Sequence, residues 1–135
     1  MRQATIAVLA LAALGALSAC GSDDATSGDG GPTQTVEIAA TDFAFRADAR
    51  IIIEAGDTVE FRVRNEGAVE HQMEVLTAEN RQLGITDRIA PGASDDTVVT
   101  FDEPGSYLVI CDIDNHRELG QQAEFDVVGG TSADR

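Results

Sequence analysis

Residues 58–65 read TVEFRVRN, and this run limits the fold more than any other stretch. Val59, Phe61 and Val63 fall on one side of an extended chain; Glu60, Arg62 and Arg64 fall on the other. Alternation with period two predicts a half-buried strand, because successive strand side chains point to opposite faces. Residues 35–40 (TVEIAA) place Val36 and Ile38 on one face in the same way. Residues 50–54 (RIIIE) are β-branched and run into an Ala55-Gly56-Asp57 turn. Residues 72–76, 96–101 (DTVVTF), 106–111 and 123–128 (AEFDVV) are further candidate strands. Ala90-Pro91-Gly92 and Glu103-Pro104-Gly105 punctuate them as turns. Residues 80–89 fit either a loop or a short helical turn. About seven short strands with regular turn signals predict an all-β fold, an antiparallel sandwich. Bundles and doubly wound folds are excluded, since no ten-residue stretch beyond the N-terminal segment carries a helical period.

The N-terminal 19 residues read as a signal rather than as part of that fold. Arg2 supplies a positive start and residues 6–17 an apolar stretch of 12, too short for a stable bilayer-spanning helix. Ser18 and Ala19 are small and precede Cys20, the pattern of a lipoprotein signal. A lipidated Cys20 predicts a protein held at a bacterial cell membrane on its extracytoplasmic face. Residues 20–34, rich in Gly, Ser, Thr and Asp, form a flexible tether. Residues 35–129 are then one small domain, with 130–135 as a tail.

The charge is strongly acidic, with 24 Asp and Glu against nine basic residues and no lysine. Nucleic acid is thereby excluded as a partner, because phosphates repel such a field. A basic protein or a cation suits it better. Glu37, Glu60 and Glu124 alternate outward and read as solvated faces.

The chemistry sits near the C-terminal end. With Cys20 lipidated, Cys111 has no partner for an internal disulfide. The chain has two histidines, His71 and His116, and His116 lies five residues past Cys111. One thiolate and two imidazoles form a set that suits a copper ion. Gln121 stands five residues past His116, where an axial amide oxygen would come from. Met73 is expected to be core packing near the site, and Asp112 and Asp114 solvated loop charges. No Gly-x-Ser-x-Gly, phosphate-binding loop, Cys-x-x-Cys or His-Glu-x-x-His run occurs, so the reading is of a protein that is not an enzyme.

Tyr107, Cys111, His116 and Gln121 resemble the close of the small cupredoxins, Tyr-x-x-x-Cys-x4-His-x4-Met. The opening TDFAFRADARIIIEAGDTVEFRVRNEG resembles the family's first three strands. The HQMEVL and RIAPGASDD runs are similar to cupredoxin domains attached to bacterial iron-uptake lipoproteins. The resemblance implies a Greek-key sandwich with a blue-copper site of His71, Cys111 and His116. Gln121 replaces the usual Met, as in the stellacyanin-like branch. Asp-Ile-Asp-Asn fills the Cys-to-His stretch where Pro-Gly is common, and Gln122 and Ala123 stand where a Gly usually follows. The expected function is electron transfer by a membrane-tethered monomer with a basic redox partner. The alternative is copper or iron handling without a dedicated electron-transfer role.

Overall fold

In strand β4, Thr58–Asn65, the side chains of Val59, Phe61 and Val63 are buried while Arg62 and Arg64 are exposed. The apolar face of this strand seeds the core of the computed structural model, which describes residues 30–130. The signal, Cys20, most of the tether and residues 131–135 lie outside the described residues.

The described residues form nine strands and no helix. The others are β1 Gln34–Thr41, β2 Ala44–Ala47, β3 Ile53–Glu54, β5 Glu74–Thr77, β6 Gln82–Ile85, β7 Ser94–Thr100, β8 Gly105–Ile110 and β9 Gln122–Val128. They make two sheets, ordered β2-β1-β4-β7 and β3-β9-β8-β5-β6. The sandwich expected from the alternation is present. Its sheets are mixed rather than wholly antiparallel: β1 runs parallel to β4, and β3 parallel to β9. Strand patterning reports which face is buried but not which neighbour a strand selects, so these pairs leave no trace in the sequence.

Between the sheets, Phe61, Phe101, Tyr107 and Phe125 form an aromatic cluster. Phe101 and Tyr107 meet edge to face at 4.9 Å and Phe101 and Phe125 at 5.7 Å. Such pairs add about 0.5–1.5 kcal/mol each beyond their buried area. The Tyr107 hydroxyl donates to the Glu103 carbonyl at 2.8 Å, pinning the entrance to β8.

The open segment 80–89 contains β6, which pairs with β5. Gly84 hides it from pattern reading and also explains it. A Cβ there would lie 2.7 Å from Val99 Cγ2 and 2.8 Å from Thr97 Oγ1, so only glycine lets β6 close over β7. The predicted 50–54 strand shrinks to Ile53–Glu54, because only these two residues find ladder partners, Val127 and Val128 of β9. β2 was missed. It is the return arm of a hairpin with β1, whose two turn residues are Asp42 and Phe43.

The topology gathers several element ends at one edge of the sandwich. Ala40 of β1 pairs with Asn65 of β4, and Ile110 of β8 pairs with both Glu74 of β5 and Gln122 of β9. The β1–β2 turn, the segment before β5 and the β8–β9 loop therefore face one another.

Candidate metal centre

Cys111 follows the last residue of β8 and is buried and free. The loop it opens is closed by its own backbone. His116 N–H donates to the Ile113 carbonyl at 3.0 Å, and Gln121 N–H to the His116 carbonyl at 3.0 Å. Cys111 N–H donates to the Gln121 carbonyl at 3.0 Å, tying the two loop ends together. Ile113 is buried beneath the loop, and Gly120 takes a φ of 111°, a left-handed conformation that glycine adopts without strain. Asp112 and Asp114 point outward and are exposed, as expected of solvated loop charges.

His71 comes from a different part of the chain. Its backbone forms an isolated bridge with Ile89, with bonds of 3.1 and 2.7 Å. Its imidazole is fully buried. The structure brings His71, Cys111 and His116 together: one ligand atom from each lies within 4.8 Å of the others. Cys111 Sγ is 3.5 Å from His116 Nδ1, and the two imidazole centroids are 5.3 Å apart. Met73 is buried in the core, in keeping with a packing role.

Two buried side-chain polar atoms among the described residues lack a hydrogen-bond partner, His71 Nδ1 and Gln121 Oε1. An unpaired buried polar atom costs about 1–3 kcal/mol. Both belong to candidate ligands, and each has its other polar atom engaged. His71 Nε2 donates to Asp42 Oδ1 at 2.7 Å. A carboxylate only accepts, so Nε2 carries a proton, and Nδ1 is the ring nitrogen left for a ligand. Gln121 Nε2 donates to the Thr41 carbonyl at 3.4 Å, leaving Oε1 free on a wholly buried side chain.

Four supporting residues escaped the sequence reading: Asp42, Phe43, Asn65 and Gly67. The Asp42 carboxyl is held below its ordinary value, first by the Ala68 N–H and then by His71. Asn65 is buried at the end of β4 and donates to the Val69 and Ile89 carbonyls, both at 2.7 Å. Phe43 packs against His116 with centroids 4.8 Å apart. Asp42 lies 29 residues from His71, so no periodic spacing could have linked them. At the loop's edge, partial burial pushes Glu74 up, Asp112 adds to the rise and Arg117 opposes it.

The family model described as a cupredoxin-like domain matches residues 6–121. Among solved structures, the chain is similar to auracyanin B, at 20% identity and a TM-score of 0.63, covering 73% of this chain and 91% of that one. It is similar to dithionite-reduced auracyanin from Roseiflexus castenholzii, at 19% identity and a TM-score of 0.62, covering 73% and 99%. It is also similar to auracyanin A, a "blue" copper protein from Chloroflexus aurantiacus, at 22% identity and a TM-score of 0.54, covering 71% and 98%. At these identities the likeness is one of fold. No curated protein matches the chain.

Proposed function

The chain belongs to the cupredoxin-like domain family, and from that premise we propose that it is a copper-binding electron carrier tethered outside a bacterial membrane. The observation that carries this reading is the buried cluster of one thiol and two imidazoles within 4.8 Å. The donor set fits copper. A thiolate with two imidazoles is the soft and borderline combination that copper takes, with a weaker axial donor beside it. Cys111 as thiolate and the Nδ1 atoms of His71 and His116 are the proposed strong ligands. Gln121 Oε1, buried and unpaired, is the proposed axial donor.

Copper held there supplies a one-electron couple. The chain's own part is to keep the ligands fixed and dry, with Cys111 1% exposed and His71 and Gln121 fully buried. His116 is 8% exposed and is the ligand closest to solvent by that measure. The acidic surface suits a basic redox partner, which its field would steer. The proposed anchor is a lipid on Cys20. Replacing Cys20 with alanine should release the protein from the membrane fraction.

The test of the copper reading is direct. Protein purified without oxygen and given one equivalent of Cu(II) should become intensely coloured, with a paramagnetic resonance spectrum of thiolate-bound copper. A colourless product with only weakly held surface copper would overturn it. A site that holds Cu(I) but gives no reversible couple would replace electron transfer with copper handling.

A further inference from the structure

We propose that Asp42 is a positioning residue of the metal centre and that its negative charge biases the site toward Cu(II). The proposal rests on the copper reading given above.

The bond itself is short: Asp42 Oδ1 receives His71 Nε2–H at 2.7 Å. The donor is a fully buried ring whose other nitrogen has no hydrogen-bond partner. The carboxylate is fixed in turn, since Oδ2 accepts the Ala68 N–H at 2.8 Å. Gly67 closes over the pair. A Cβ on Gly67 would collide with Asp42 Oδ1 and lie 2.7 Å from His71 Nε2, so the segment leaves no room for any other residue. Asn65 holds this segment in place by accepting the Gly67 N–H at 2.8 Å. It also bonds the carbonyl of Ile89, the residue that bridges the His71 backbone.

The same short turn touches two other candidate ligands. Thr41 accepts from Gln121 Nε2, and Phe43 lies on His116. Residues 41–43 thus reach three of the four side chains proposed to surround the ion. Only Asp42 among them brings charge. A carboxylate bonded to the far nitrogen of a ligating imidazole orients the ring and makes it a stronger donor. A stronger, more negative donor favours the more highly charged ion.

The test compares wild type with Asp42→Asn and Asp42→Ala. Asparagine keeps an amide oxygen for His71 Nε2–H and loses the charge, while the exposed Ala68 N–H can turn to water. Asp42→Asn should stay coloured, but its preference for Cu(II) over Cu(I) should fall about tenfold, an upward potential shift of about 59 mV. Asp42→Ala should lose about 10–100-fold in Cu(II) affinity. A coloured Asp42→Asn protein with the wild-type potential would overturn the charge effect. Nitrogen-15 spectra of the metal-free proteins test positioning without copper. His71 should be protonated on Nε2 in wild type and Asp42→Asn, and should mix tautomers in Asp42→Ala. One unchanged tautomer in all three would overturn the orienting role. Failure of wild type to bind copper would remove the copper reading and the Cu(II) bias with it, while these spectra still decide the orienting role. Should Asp42→Ala fail to fold, the potential of Asp42→Asn and the tautomer of the wild type carry the decision.

Discussion

Cys111 Sγ stands 3.5 Å from His116 Nδ1 in a loop whose two ends are joined by the bond from Cys111 N–H to the Gln121 carbonyl. The donor atoms are brought together by backbone contacts within the loop and by packing from the other sheet.

Cys111→Ser follows from that arrangement. The substitution should abolish the thiolate-to-copper colour outright while the metal-free fold survives at a cost of about 1 kcal/mol, typical of a conservative buried change. Absorption spectra and circular dichroism of the loaded and metal-free variant check both halves. An intact colour would mean that another group carries the charge-transfer band.

Gln121→Met tests the axial position. An amide oxygen is a harder donor than a thioether and favours Cu(II). The methionine variant should have a potential higher by about 59 mV or more, one factor of ten in relative affinity. Equal potentials by voltammetry in one buffer would place Gln121 away from the ion.

Gly84→Ala addresses the fold. The added Cβ would press on Val99 and Thr97 at under 3 Å, against a strand of the opposite sheet. The expected loss is about 1–3 kcal/mol, as for overpacking of a tight core. In a domain of this size each kilocalorie lowers the melting temperature by about 4–8 °C. An unchanged melting temperature would mean that β6 moves freely over β7.

Tyr107 supplies a pH dependence. Its hydroxyl is pushed above the ordinary value of 10.0, mainly by burial and then by Glu103 and Asp102. The folded chain thus holds the phenol proton more tightly than the unfolded chain. The contribution is complete below pH 10.0 and is lost as pH rises through the folded value. The stability of wild type should fall more steeply above that pH than the stability of Tyr107→Phe, as followed by denaturant unfolding. Tyr107 is the chain's single tyrosine, so phenolate absorbance reports its titration directly.

The sequence disclosed the candidate site unevenly. Cys111, His116 and Gln121 share one loop, so their spacing survives on the page, and His71 was the one remaining imidazole. Asp42, Asn65 and Gly67 act through contacts made only when β1 lies parallel to β4. A single aspartate among 24 acidic residues carries no mark of that. The same limit governed the fold. Val59, Phe61 and Val63 declared their face by alternation, whereas Gly84 and the residues of β2 belong to strands defined by what they lie against.

The β1–β2 turn belongs to one sheet, and the loop carrying Cys111, His116 and Gln121 belongs to the other. A bound ion would therefore act as a rivet across the seam of the sandwich, with Thr41 and Asp42 as its washer on the far side. Parting of the two layers at that edge would open the buried side chains of His71 and Gln121 to solvent. The rate at which copper exchanges with a chelator then becomes a clock for local opening at that edge, independent of global unfolding.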